Sequence, residues 1–288
     1  MARPHSIENL TDHVVICNCN AKVGKIVEEL HTGTLFEPPD VVLLIQDEEL
    51  WRSHPEWHPP ASAGDRFYTV EGCPTDKNDL RKVSIKHTRA AVILADPNHG
   101  DLADAPSTLT AMAIEKQNPQ VHTVIELIAS SNRRLMEATD VNEIICMREI
   151  SEKLIVQSSL NPGIKNIFED LLTVRQGTSQ LYTITVPSHL TQLTYRQLAE
   201  KIILADVPFI LIGFVTTNHT NESENGADDE AAPRSFLSSH QDTGELHSVF
   251  SQIVINPKVD LNPGKDTVLS SQDRLVIIGH EHPDFQDV

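Results

Sequence analysis

The sequence predicts an α/β protein: a Rossmann-like, doubly wound parallel sheet, then a helix–turn–helix crossover, then a small β-rich α+β lobe. Three observations predict it. Short apolar runs rich in β-branched residues recur through the first half, each followed by a segment of helical spacing. The first run, Val14 to Cys17, passes through a tight polar turn into Val23, Ile26, Val27 and Leu30, which sit at i, i+3, i+4 and i+7. Beyond residue 148 this alternation stops, and two helical segments around Asn161-Pro162-Gly163 lead into further apolar runs.

Taken in order, residues 1–12 are a polar lead-in. A strand is expected over 13–19, a helix over 22–32 and a second strand over 41–46. Leu50 to Gly64 holds Pro55, Pro59, Pro60, Trp51 and Trp57 and reads as a surface insertion. Phe67 to Val70 is the third strand. Glu71-Gly72-Cys73-Pro74-Thr75 is a turn in which Thr75 can cap a helix running to about Lys86, with Asp76 and Asp79 in its first turn. Ala90 to Ala95 is the fourth strand, ending at Asp96, and the following loop carries Asp101 and Asp104. Pro106 to Asn118 is helical, with Leu109, Met112 and Ala113 expected to face inward. A fifth strand over 121–128 contains Glu126; a short helix over 133–138 and a sixth strand over 142–147 complete the unit.

Helices follow over 149–160 and 164–173, the second with Ile164, Ile167, Phe168, Leu171 and Leu172 on one stripe. They complete this core or pack on a second subunit. Strands over 181–186, 209–214, 252–255 and 274–278, with one helix over 194–203, form the last lobe. Residues 216–246 are polar and acidic and read as a disordered insertion. The domains are therefore 12–148, a crossover at 149–175, and 176–288.

In doubly wound sheets ligands bind outside the carboxyl ends of the strands. Asn18, Asp47, Cys73 and Asp96 fall at those ends; Asn20 and Glu126 are expected to line the same cleft. The glycine pattern that lets a backbone approach pyrophosphate is replaced by Asn18-Cys19-Asn20-Ala21-Lys22-Val23, and only Gly24 follows. Asn tolerates positive φ, so the turn can still form. On the loop alone, a nucleotide or ion site and a layer that binds nothing have equal weight. Each residue also has an ordinary role: Asn18 and Asn20 suit turns, Cys73 suits packing, and Asp47 and Asp96 can simply end strands.

A formal charge of −18 argues against nucleic acid and against an anionic membrane surface. No apolar run approaches membrane-spanning length, and the first residues lack the apolar core of a signal peptide. Cys17, Cys19, Cys73 and Cys146 suit free thiols in a reducing cytosol, and Cys17-x-Cys19 is too close a pair for a zinc knuckle. Pro55 between His54 and His58 disfavours a helical metal face, so both histidines read as loop residues.

Several segments together resemble the RCK family, regulators of K⁺ conductance, and its channel-linked members above all. They are His13 to Asn18, Glu71 to Thr75 with Asp79-Leu80, Ala90 to Asp96, Val124 to Leu127, Gln157 to Gly163, Ile255-Asn256-Pro257 and Gln272 to Gly279. The resemblance implies TrkA-N-type and TrkA-C-type lobes, a crossover that pairs subunits into a homodimer and on to an octameric gating ring, and no chemistry on the ligand. It implies a cytoplasmic module at the inner membrane face, joined to the pore domain of a potassium channel or transporter, as a separate subunit or as part of a longer chain. The ligand would be a nucleotide (NAD, ADP, AMP or ATP) or a divalent cation. Gln46 stands where many nucleotide-binding members have the ribose-binding acid, with Asp47 one place later. Glu126 matches an acid of ion or nucleotide sites, with Asp96 beside it as the other candidate metal ligand, and Ile128 replaces a second acid of some Ca²⁺-gated members. The alternatives are a ligand-free scaffold and, less favoured, an NAD-dependent oxidoreductase; His189, its candidate acid–base, has no evident orienting acid.

Overall fold

The structure is a computed structural model; it describes residue 7 and residues 10–32, 38–96, 102–173, 177–205, 207–216 and 258–285. Six strands form a parallel sheet: β1 (Val14–Cys17), β2 (Val41–Ile45), β3 (Phe67–Glu71), β4 (Ala90–Ile93), β5 (His122–Leu127) and β6 (Glu143–Cys146). Their order is β3-β2-β1-β4-β5-β6, with Val14 paired to Val41 on one side and Ala90 on the other. The chain thus builds outward from β1 in one direction, then returns to build outward in the other. The switch point lies between β1 and β4.

Every residue of β1 and β2 is buried, as expected of strands covered on both faces. Alternation divides them between two cores. Val15, Cys17, Val42 and Leu44 pack under α3 (Lys77–Lys82) and α4 (Asp104–Gln117), with Leu80, Ala111 and Ile114. Val14, Ile16, Leu43 and Ile45 pack on the other face with Val23 and Val27 of α1 (Val23–Thr32).

The expected surface insertion is folded and contributes to that second core. It contains α2 (Glu48–Ser53) and 3₁₀ turns at Pro55–Trp57 and Ala61–Arg66. Trp51 is buried, and its indole stacks on the His58 ring at 4.3 Å. Pro55 opens one 3₁₀ turn and Pro60 stands just before the other, where a missing N–H costs nothing. The expected helix caps also shift. Asp76, not Thr75, caps α3 by accepting from the Asn78 and Asp79 N–H groups, and α3 stops at Lys82 before a 3₁₀ turn at Ile85–His87.

The face expected to be inward on α4 is only partly so: Ala113 packs against the core, half-buried. Leu109 and Met112 are exposed, while Ser107, Thr110, Ala111 and Ile114 are buried. Ile114 and small residues face the sheet, so the helix lies close on it while Leu109 and Met112 point away. A single-stripe reading cannot separate an inward face from an apolar outward one.

After β6 come α5 (Met147–Leu160) and α6 (Ile164–Leu172), joined at Gly163, whose φ of 95° lies in the left-handed region. Neither helix buries a residue within this chain. The last lobe is an antiparallel sheet of order β7-β10-β8-β9, with β7 at Gln180–Thr185, β8 at Phe209–Thr216, β9 at Lys258–Leu261 and β10 at Arg274–Gly279. It is covered by α7 (Tyr195–Leu204), which opens with a Thr194–Gln197 capping box. Tyr182, Leu198, Ile202, Phe209 and Ile277 form its core. The insertion expected at 216–246 (apart from Thr216) and the strand expected at 252–255 lie outside the described residues.

Candidate functional site

At the switch point the turn after β1 crosses over β4 and β5. Asn18 takes the left-handed conformation, φ 67°, that the sequence asked of it. It is buried, and its Nδ2 donates to the Leu94 carbonyl at 3.0 Å, while its backbone N–H donates to Leu44 O at 3.1 Å. Gln46 Nε2 reaches Asn18 Oδ1 at 3.5 Å. Asn20 Nδ2 donates to Ala95 O at 3.1 Å and to Glu126 Oε2 at 3.4 Å, and its Oδ1 accepts the Lys22 backbone N–H at 2.9 Å.

Glu126 is the centre of this group. Its side chain is 9% exposed; Oε2 also accepts the Ala95 N–H at 3.3 Å, and Oε1 is paired with the Lys22 ammonium. A carboxylate this buried needs donors on both oxygens. Here they come from Asn20, Ala95 and Lys22, which tie the turn to two strand ends.

Cys19 lies in the same turn, and its thiol is pushed up to about 11 by burial, with the Asp96 and Asp47 charges adding to the effect. Cys17 is pushed up to about 12 by burial alone. Neither thiol is a nucleophile near neutral pH. Asp47 is exposed and already occupied as the cap of α2, accepting the Leu50 N–H at 2.8 Å. Cys73 stands apart. It follows β3, two strands from β1 and so roughly 10 Å across the sheet. Its N–H donates to Asp79 Oδ2 at 2.8 Å and its Sγ lies 3.1 Å from Thr75 Oγ1, which makes it part of a turn.

The surviving glycine serves the chain itself. A Cβ on Gly24 would lie 2.8 Å from His58 O and 2.9 Å from Trp57 O. Gly24 therefore lets the insertion backbone approach α1 closely. Among the described residues, no group of three His, Cys, Asp or Glu side chains converges as a metal would require.

Two residues that sequence reasoning missed hold the site. Lys22 read only as a break in the glycine pattern; its signal was a basic residue at a turn facing an acid on β5. Asp104 was placed in a loop, yet it opens α4, is fully buried, and accepts from Ile128 N at 2.7 Å, Ala129 N at 3.0 Å and Asn132 Nδ2 at 2.8 Å. It locks the β5 exit, and so the carboxyl end that presents Glu126.

Residues 9–125 match the family model for the calcium-activated potassium channel slowpoke-like RCK domain. The calcium-gated potassium channel TvoK of Thermoplasma volcanium is 24% identical over 208 residues, which are 71% of this chain and 55% of that protein. The probable ion channel CASTOR of Oryza sativa subsp. japonica is 26% identical over 171 residues, 56% of this chain and 19% of that protein. The chain thus spans about half of the first relative and about a fifth of the second. The human SLO3 gating ring has the same fold, with a TM-score of 0.57 at 14% identity over 93% of this chain and 44% of that one. The stretch that holds β1 to β4 and the switch-point turn is thus similar to a slowpoke-like RCK domain.

Proposed function

We propose that this chain is a cytosolic ligand-sensing module that regulates K⁺ flux through a channel or transporter pore. The observation that carries the reading is the juxtaposition of a switch-point cleft with α5 and α6. A strand-end turn that ties Asn18, Asn20 and Glu126 together, with Asp47 and Asp96 following neighbouring strands, is joined through β5 and β6 to two helices whose apolar side chains are exposed. Ligand binding at the strand ends would favour one arrangement of these helices over another, by its difference in affinity for the two. The relatives named as potassium or ion channels support a pore partner, and the exposed helices support pairing with a second copy. The ligand class that suits the cleft is a nucleotide or a cation; the module does no chemistry on it.

One observation favours a second reading, a scaffold without ligand: Asn18, Asn20 and Glu126 already have partners inside the chain. Thermal melting against NAD, NADH, ADP, ATP, AMP, Ca²⁺ and Na⁺ separates the two. A ligand of the folded state at about 100 times its dissociation constant adds roughly 2.7 kcal/mol. One clear stabiliser, weakened by Asp47→Ala without unfolding, supports the sensor; no shift up to millimolar concentrations moves the reading to the scaffold.

A further inference from the structure

We infer that Glu143 and Arg274 form a latch between the two lobes, and that His122, which lies in the field of both, releases it on taking up a proton. His122 opens β5 and Glu143 opens β6. Glu143 is in register with Val124, two residues past His122, so both side chains share one face of the parallel sheet. Arg274 opens β10 in the other lobe, where it is paired with Thr185 and Val215. Burial lowers the His122 pKa, the Glu143 carboxylate raises it, and the Arg274 guanidinium lowers it further. Among the described residues, these are the two charged side chains that act on it, one from each lobe.

Both charges are unspent. Arg274 is half-buried; its Nη2 donates to the Thr183 carbonyl at 2.9 Å, and its Nε is buried without a partner. Burial pulls its pKa down with no acid countering it. A desolvated guanidinium N–H without an acceptor is costly. Glu143 is exposed and, among the described residues, has neither a hydrogen bond nor an ion pair. It is the carboxylate that this junction already holds.

With His122 uncharged, Glu143 is free to take Arg274 and tie one sheet to the other. Once protonated, His122 draws Glu143 back to its own lobe and repels Arg274, and both effects loosen the junction. His122 titrates below the ordinary 6.5, so the latch is closed at neutral pH and weakens as pH falls below about 6.5. The covalent path between the lobes is α5 and α6, so the latch restrains the two helices that carry the exposed apolar side chains. It needs no ligand and so stands apart from the sensor reading.

The test uses the full chain with Glu143→Gln, Arg274→Met, their double variant and His122→Gln. The His122 imidazole signal, assigned by its loss in His122→Gln, is titrated by NMR. Glu143→Gln should lower its pKa and Arg274→Met should raise it, each by at least about twofold in proton affinity. An unmoved pKa in both overturns the inference. Urea midpoints then close the double-mutant cycle. At pH 8 the Glu143–Arg274 coupling should reach about fivefold in the folding constant, as for a well-placed ion pair. It should fade by pH 5, and persist there in His122→Gln. Additive effects at pH 8 overturn the latch, and coupling that persists at pH 5 with His122 present overturns its release. Inorganic phosphate at constant ionic strength is the last arm. A midpoint that it raises in wild type but not in Arg274→Met overturns the latch, because the guanidinium then serves an oxyanion. Should Arg274→Met not fold, Glu143→Lys takes its place: two like charges at the junction should lower the midpoint more than Glu143→Gln does, and equal losses overturn the latch.

Discussion

At the carboxyl ends of β1, β4 and β5, the polar side chains Asn18, Asn20 and Glu126 find their partners within the chain. Along α5 and α6, Ile150, Ile155, Val156, Leu160, Ile167, Phe168 and Leu172 are exposed. The first region is polar and closed, the second apolar and open. The difference is physical. A buried carboxylate without donors costs several kcal/mol, so the chain must satisfy Glu126 before any ligand arrives. An exposed leucine costs a folded monomer little, but a row of them on one helix hairpin offers a surface that a second molecule can cover. The closed region is where binding has to displace something, and the open one is where it has only to cover.

The largest effect is expected inside, at Asp104. Asp104→Ala leaves the Ile128 and Ala129 N–H groups and the Asn132 amide without their acceptor. These donors are partly buried, so each left unsatisfied costs about 1 kcal/mol, the low end for a buried group, and a loss of about 3 kcal/mol is expected. Urea unfolding at unchanged slope would read it as a lower midpoint. A loss under about 1 kcal/mol would mean that water reaches these donors, and the contrast between closed and open regions would weaken.

The open region should answer differently. Leu160→Asp with Phe168→Asp places charge on side chains exposed to 70% and 43%. Self-association should weaken by at least about thirtyfold, roughly 2 kcal/mol, while the monomer keeps its melting temperature. Sedimentation across a concentration series measures this. A mass unchanged by the substitutions would remove α5 and α6 from the subunit interface.

A boundary case lies between the two. Gly24→Ala puts a methyl group against two backbone carbonyls of the insertion, which should cost roughly 1–3 kcal/mol. The chain has two tryptophans, both in this insertion, so their emission reports its seating directly. A red shift on substitution is expected as Trp51 is uncovered. Unchanged emission and stability would mean that the insertion does not bear on α1.

Much of the fold was legible in the sequence because parallel strands buried on both faces read as unbroken apolar runs. Val14 to Cys17 and Val41 to Ile45 are such runs, and their spacing with helices gave the alternation. The Asn18 turn was legible for a local reason, tolerance of positive φ. What failed was long-range. The burial of Trp51 depends on His58 and α1, the inward face of α4 on how closely it lies to the sheet, and the role of Lys22 on an acid more than a hundred residues away. Periodicity records neither closeness nor charge pairing across a sheet. Asp104 was hidden because a helix start and a loop acid look alike until the strand exit they hold is in place.

The smallest effect is a pH dependence that belongs to the buried amino end of the same sheet. His13 is fully buried; its Nε2 lies 2.9 Å from the Val83 carbonyl and 3.0 Å from Thr88 Oγ1, and its Nδ1 has no partner. Burial holds its pKa below the ordinary 6.5, against the raising effects of Val83, Asp40 and Asp12. The folded state therefore resists a proton that the unfolded state accepts. Stability from this group is fully present above about 6.5 and declines as pH falls below it, until the folded pKa is reached, by at most about 1.4 kcal/mol per pH unit. His122, lowered chiefly by burial, adds in the same direction. Urea midpoints from pH 7 to pH 5 should fall, and His13→Gln, which keeps a donor for Val83 but does not titrate, should flatten the curve. A variant that keeps the full slope would show that His13 is protonated in the native core, and that the amino end of the sheet is wetter than its hydrogen bonds imply.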